Sequence, residues 1–149
     1  MATNLVNGIA DLLNRDIEKL KEEINAYEDE TKLWQLSGTV ANSAGTLCLH
    51  LTGSLNHFIG AVLGKTGFVR DRESEFSLRN IPKAKMLADL EQTRVTVATT
   101  LAGLQDADLF ETFPVKFQSK DVQTFWFLSH ILTHVSYHLG QVNYHRRMS

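Results

Sequence analysis

The chain has 149 residues, 43% of them hydrophobic, which suits one globular domain with a full core. Its net charge of −2, with acidic and basic residues interspersed, argues against a nucleic acid partner, and its single cysteine, Cys48, excludes an internal disulfide. No secretory signal is recognisable at the N-terminus, and the apolar runs look too short and interrupted to cross a bilayer. We therefore expect a soluble, cytoplasmic protein that binds neither nucleic acid nor membranes.

The first predicted element is an amphipathic helix that ends near Glu28-Asp29-Glu30. Its apolar residues recur at steps of three and four, with charged residues between them. They are Leu5, Ile9, Leu12, Leu13, Ile17, Leu20, Ile24 and Tyr27. The segment that follows, up to Asn42, contains Trp34, Leu36 and Gly38 and predicts a packed loop or a short turn.

A second helix is predicted from Ser43, a suitable N-cap, to about Gly64. Its stripe contains Leu47, His50, Leu51, Leu55, Phe58, Ile59 and Val62. The next segment, from Gly64 to Asn80, has many charged and few apolar residues. This composition predicts a long loop.

Pro82 fits the first turn of a third helix, because no N–H donor is needed there. The stripe of this helix contains Met86, Leu87, Leu90, Arg94, Val97, Leu101 and Leu104. In the connection 106–120, alternating apolar residues allow a short extended piece. A fourth helix is predicted from Asp121, as N-cap, to a basic end at Arg146 and Arg147. Four such helices predict an all-α domain, a four-helix bundle over residues 1–149 with a long loop between helices 2 and 3.

The last helix has two histidines, His134 and His138, at a spacing that lets both imidazoles point at one place. Two neutral imidazoles suit zinc, nickel or iron, but a stable site normally has a third protein ligand. His50, at the margin of the apolar arc of the second helix, can complete the set. His57 shares that face but lies about 10 Å farther along the helix axis, so both cannot readily bind one ion.

A purely structural role is the alternative for these histidines. A histidine beside an apolar stripe is usually a hydrogen-bonded structural residue, and six histidines in 149 residues can pair by chance. His130 lies one turn before His134, and His145 lies two turns after His138, which makes the pattern less specific. The residues alone leave both interpretations open.

Two motifs resemble the DinB-like superfamily of four-helix bundles. They are His50-Leu51-Thr52-Gly53-Ser54-Leu55-Asn56-His57-Phe58 in the second helix and His134-x3-His138-x-Gly140-Gln141 in the last. The resemblance covers essentially the whole chain, because the helix order and the long loop are also similar. It implies that His50, His134 and His138 bind a divalent metal ion with coordination positions left open. It also implies a homodimer, and relatives that are thiol-dependent S-transferases, an isomerase or proteins described as metal-dependent hydrolases.

Three functional hypotheses follow from this resemblance. In the first, a low-molecular-weight thiol binds the metal, loses its proton and attacks an electrophile, so no catalytic cysteine is needed. In the second, the metal activates water to hydrolyse a small-molecule substrate. The His pair lacks the adjoining carboxylate of a His-Glu-x-x-His motif, so hydrolysis would need Asp71, Glu73 or Glu75 from the long loop. In the third, the bundle binds a metal or is structural and catalyses nothing.

The sequence identifies no catalytic residue, but it offers supporting candidates. Arg70 and Arg72 could bind the carboxylates of a thiol cofactor if the loop folds over the site, and a solvated loop is the alternative. Gln141 could orient a ligand or a water beside His134, or it could be an ordinary packing amide. Aromatic residues of the last helix could line a pocket or a subunit interface; they are Trp126, Tyr137 and Tyr144. Cys48 is interpreted as a packing residue.

Overall fold

The computed structural model describes residues 4–149, and in this range the chain forms helices and no strand. The α-helices are α1 (Leu5–Asn25), α2 (Ala44–Leu55), α3 (Arg72–Ser77), α4 (Lys83–Ala102) and α5 (Thr124–Met148). α2 continues directly into a π-helix, Asn56–Leu63, and short 3-10 helices span Glu30–Trp34 and Asp106–Phe110. The prediction of an all-α protein is confirmed.

The four long helices, α1, α2, α4 and α5, share one hydrophobic core. α1 packs against α4 and α5, and α2 also packs against both of them. Most of the predicted apolar stripe of α1 is fully buried, whereas Leu5 and Leu12 at its edge are exposed. The packing of α2 on α5 brings two parts of the chain that are far apart in sequence next to each other.

α2 begins where the sequence predicts. The side chain of Ser43 accepts a hydrogen bond from the backbone N–H of Thr46 at 3.2 Å, which satisfies one free donor of the first turn. By length and composition, the continuous segment Ala44–Leu63 could cross a membrane. The prediction that every apolar run is too short to do so was therefore wrong for this segment. However, 56% of its most apolar stretch of 18 residues is buried inside the protein, as in a core helix.

The connection between α2 and α4 was predicted as a loop, but it contains α3. Asp71 begins this short helix by accepting a hydrogen bond from the backbone N–H of Ser74 at 3.2 Å. α3 packs on α2 and buries Glu75. A helix of six residues is too short for its apolar periodicity to be recognised in the sequence.

Two predicted helix starts need correction. Pro82 lies at the N-cap of α4, one residue before the first helical turn. α5 begins at Thr124 with Gln123 as its N-cap, whereas Asp121 lies before the helix and forms an ion pair with Lys116. The predicted extended piece of the preceding connection is limited to isolated antiparallel bridges, Thr112 with Gln123 and Phe117 with Lys120.

Candidate metal centre

The Nε2 atoms of His50, His134 and His138 converge where α2 packs against α5. Nε2 of His134 lies 3.2 Å from Nε2 of His50 and 3.1 Å from Nε2 of His138. One nitrogen from each ring lies within 4.8 Å of the other two. The structure therefore brings together the three histidines that the sequence singles out.

Hydrogen bonds at the opposite nitrogens fix two of these rings. Nδ1 of His50 lies 3.1 Å from a carboxylate oxygen of Glu75, and Nδ1 of His138 lies 2.7 Å from the amide oxygen of Gln141. Both oxygens are acceptors, so each Nδ1 has the proton and each Nε2 has a free lone pair. Both lone pairs point at Nε2 of His134, which can donate only one hydrogen. At least one of these close contacts between nitrogens is therefore unfavourable unless a cation lies between them.

The spacing of the nitrogens suits a common metal ion. Two nitrogens bonded to zinc at about 2.0–2.1 Å are about 3.3 Å apart at a tetrahedral angle and about 2.9 Å apart at a right angle. The observed separations of 3.1 and 3.2 Å fall between these values. Imidazole nitrogen is also the ligand type that zinc, nickel and iron accept. The residues present therefore fit a divalent transition metal.

The surroundings of His134 and His50 favour the neutral form of their imidazoles. Burial, reinforced by the neighbouring rings of His138 and His50, lowers the pKa of His134 to about 4. Burial also lowers the pKa of His50, although Glu75 acts in the opposite direction. A neutral imidazole is the form that binds a metal, so protons compete little for these two residues near neutral pH.

Glu75 is the buried partner of His50, and Arg70 holds it in place. The Arg70 guanidinium donates to both carboxylate oxygens, at 2.8 and 2.9 Å, and both side chains are largely buried. Gly53 makes room for this carboxylate, because a Cβ atom there would overlap it. Glu75 was one of three loop carboxylates considered as a general base, but it faces the back of the His50 ring. It is a positioning residue in this arrangement.

The other candidates from the sequence have different surroundings. Gln141 bonds to His138 rather than lying against His134. The Arg72 guanidinium lies 5.0 Å from the ring centre of Phe76. His57 is not part of the cluster, and its ring instead packs edge-on against Phe58. Cys48 is buried, as the packing interpretation requires, and burial raises the pKa of its thiol to about 12.

A cavity of about 250 Å³ borders His50 and His134. Arg70, Arg72 and Ser54 contribute polar groups to it, and its remaining walls are Phe58, Phe117, Phe127, His130 and Ile131. The ring of His130 stacks on Trp126 with their centres 5.3 Å apart. The sequence did not indicate Phe117 as a wall of the site, because it lies in the irregular connection before α5.

A second, larger depression borders His138 on the surface of α5, and we call it the α5 groove. It has a volume of about 890 Å³ and lies between residues 35–42 and the second half of α5. Tyr137 and Tyr144 line it, as the pocket interpretation of these aromatics predicted, whereas Trp126 does not. The cavity and the α5 groove have no lining residue in common.

Comparison with known proteins identifies one family. A family model described as "Protein of unknown function (DUF1572)" matches residues 1–149. The match therefore includes all three histidines of the cluster. No curated protein matches the chain.

Proposed function

The chain belongs to the DUF1572 family, and we propose that it binds a divalent metal ion through His50, His134 and His138. We further propose that it activates a low-molecular-weight thiol for transfer to an electrophilic small molecule. Four long helices around one core, together with the two histidine motifs, support a place for this chain among the DinB-like four-helix bundles.

One observation supports metal binding above all others. Two imidazoles, each with Nδ1 hydrogen-bonded to an acceptor oxygen, direct Nε2 at the Nε2 of a third imidazole. Packing alone does not favour two acceptor nitrogens that compete for the single hydrogen of a third, whereas a cation shared by all three nitrogens would replace this unfavourable contact with bonds. The Glu75 and Gln141 side chains are of the kind that orient metal-binding histidines.

The cavity beside the cluster favours an organic thiol over water as the activated group. A divalent ion bound to three neutral ligands would lower the pKa of a thiol or a water bound to it, so that the group loses its proton near neutral pH. The walls Phe58, Phe117, Phe127 and Ile131 are apolar and suit an apolar reactant. Arg72 lies at the same cavity and can bind a carboxylate of the thiol or of the electrophile.

The surroundings of Glu75 are unfavourable for hydrolysis through a carboxylate base. Glu75 is engaged by Arg70 and His50, and no Asp or Glu among the described residues lines the cavity. His130 is the observation that favours hydrolysis as a second candidate function, since its imidazole lines the cavity and could act as a general base toward water.

The first experiment tests metal binding. Metal-free protein is titrated with zinc, nickel or ferrous ion, and bound metal is measured by equilibrium dialysis. We expect one ion per chain, loss of that ion in His134→Ala, and full retention in His57→Ala, whose histidine lies on the same helix as His50 but outside the cluster. Equal metal content in the His134→Ala and His57→Ala variants would remove the proposed site.

The second experiment separates the reactions. Metal-loaded protein is assayed with a panel of small thiols and a chromogenic haloarene, and in parallel with ester and amide substrates. Turnover that needs both the thiol and the metal, and is lost in His134→Ala, supports transfer. Ester or amide hydrolysis that is lost in His130→Gln identifies a hydrolase instead. Metal binding without either reaction would leave a non-catalytic metal-binding bundle.

A further inference from the structure

The α5 groove borders the histidine cluster independently of the cavity. His138 and Gln141 lie at one end of the groove, and His145 and Met148 lie farther along α5. The cavity instead borders His50 and His134. A molecule in the groove would therefore approach the cluster along the His138 ring, by a route that the cavity does not use.

The α5 groove concentrates exposed apolar surface. Five of its lining side chains are large, apolar or aromatic, and between 49% and 80% exposed. They are Leu36, Val40, Tyr137, Tyr144 and Met148. Buried Leu47 belongs to the same lining. Apolar surface concentrated in one concave place, rather than scattered over the protein, is typical of a binding site.

The lining of the groove has no Lys, Arg, Asp or Glu side chain. Its second imidazole, His145, is fully hydrogen-bonded, because Nδ1 lies 2.6 Å from the Tyr27 hydroxyl and Nε2 lies 2.7 Å from the carbonyl oxygen of Gln35. A carbonyl oxygen only accepts, so Nε2–H donates to it, and both ring nitrogens have partners within the protein rather than in the groove. A charged ligand among these side chains would lose hydration without gaining an ion pair, except beside Tyr144, where the Arg147 guanidinium lies 5.4 Å from the ring centre. The groove therefore suits a neutral molecule.

The volume indicates the size of that molecule. About 890 Å³ lies in the range of sites that bury a drug-sized organic compound, whereas the cavity of about 250 Å³ accommodates only a small reactant. We propose that the α5 groove binds a neutral, elongated and largely apolar small molecule, one end of which reaches His138 and Gln141. Its role as a substrate of the metal centre rests on the proposed function, but its binding does not.

A neutral fluorescent probe tests this proposal on the metal-free protein of residues 1–149. The probe is N-phenyl-1-naphthylamine, whose fluorescence rises in apolar surroundings, and its anionic relative 8-anilino-1-naphthalenesulfonate serves as the charged comparison. We expect saturable binding of one neutral probe per chain and at least tenfold weaker binding of the anion. Val40→Asp and Tyr144→Ala should each weaken binding of the neutral probe at least tenfold. Val95→Asp, an equivalent change at an exposed valine of α4 outside the groove, should leave it unchanged.

Several results would overturn the proposal. They are no saturable binding of the neutral probe, equally tight binding of the anion, or equal losses in Val40→Asp and Val95→Asp. A fourth is the absence of probe binding together with a dimer that Val40→Asp converts to a monomer in sedimentation, which would identify the groove as a contact between two copies of the chain. Zinc binding is measured by equilibrium dialysis on separate portions of the same preparations. Loss of metal binding with intact probe binding contradicts only the proposed function, and the reverse result contradicts only the groove.

Discussion

Glu75 determines how His50 is presented. Its carboxylate accepts the Nδ1 proton of His50 while Arg70 binds both of its oxygens, so three side chains form one buried, charge-balanced unit. Such a hydrogen bond fixes the tautomer and orientation of the ring and raises its basicity as a ligand. The carboxylate thus acts on a metal through the histidine without touching the metal itself.

Removing the charge of Glu75 should therefore weaken metal binding without abolishing it. We expect Glu75→Gln to raise the dissociation constant for zinc about 10- to 100-fold, because His50 loses its charged partner and Arg70 is left without one. Glu73→Gln, an exposed position two residues earlier in α3, is the matched control and should not change it. Competition with a chromogenic chelator measures both constants. Equal constants for the two variants would contradict the positioning role.

The thiol of Cys48 should be inert in the folded protein. Its side chain is 1% exposed, and burial raises its pKa to about 12, so almost no thiolate is present at pH 8. We expect 5,5′-dithiobis(2-nitrobenzoate) to react with the folded protein at least about 100-fold more slowly than with the protein unfolded in guanidinium chloride, where the thiol is accessible. Rapid modification of the folded protein would show that Cys48 is reachable and would reopen a role for it in the chemistry.

α3 packs against α2 at Gly53, where the two helices approach each other closely. The carboxylate of Glu75, in the first turn of α3, occupies the space in which any larger residue at position 53 would place its Cβ atom. Because residue 53 is a glycine, α3 lies close enough to α2 for Glu75 to hydrogen-bond to His50. The glycine is required for close packing rather than for an unusual backbone angle.

Gly53→Ala should therefore separate α3 from α2. We expect a loss of about 1–3 kcal/mol in the free energy of unfolding, because the buried ion pair of Glu75 is displaced, together with weaker zinc binding. Gly8→Ala, in α1 where an added Cβ meets nothing within 4 Å, should instead stabilise the protein by about 0.5–1 kcal/mol. Urea unfolding of both variants measures these changes. An unaltered stability and zinc affinity in Gly53→Ala would show that Glu75 can move without cost.

The long helices could be predicted from the sequence because their apolar residues repeat over many turns. The start of α2 could also be predicted, since Ser43 is a local cap. The start of α5 could not, because it depends on a contact with a distant part of the connection: the backbone N–H of Thr124 donates to the carbonyl oxygen of Glu111 at 2.8 Å. α3 was not predicted, because its buried residue is the polar Glu75 and its six residues show no repeating apolar pattern.

The same distinction applies to the site. His134 and His138 could be predicted as a pair because helical spacing alone makes them neighbours. Their convergence with His50 depends on the packing of α2 against α5. The position of His50 at the margin of an apolar stripe made it a candidate third ligand, and the resemblance selected it as a ligand together with His134 and His138. The roles of Glu75 and Arg70 could not be predicted, because a segment of mixed charge does not show which of its residues turns inward.

For the molecule as a whole, the cluster joins two helices whose histidines are 84 residues apart. α2 contributes one ring and α5 contributes two, so an ion bound to all three would link these helices in the folded state only. The unfolded chain cannot hold the three rings at this spacing. Bound metal should therefore stabilise the entire core and not just the site.

Zinc should consequently raise the melting temperature of the protein. At a free zinc concentration 100 times its dissociation constant, the gain in unfolding free energy is about 2.7 kcal/mol, which for a chain of this size corresponds to about 5–10 °C. His57→Ala should show the same rise over its own metal-free form, whereas His134→Ala should show little, because two remaining rings no longer form a complete site. Differential scanning calorimetry of metal-free and zinc-loaded samples measures both shifts. A similar rise in His134→Ala would mean that zinc stabilises the protein from somewhere other than the junction of α2 and α5.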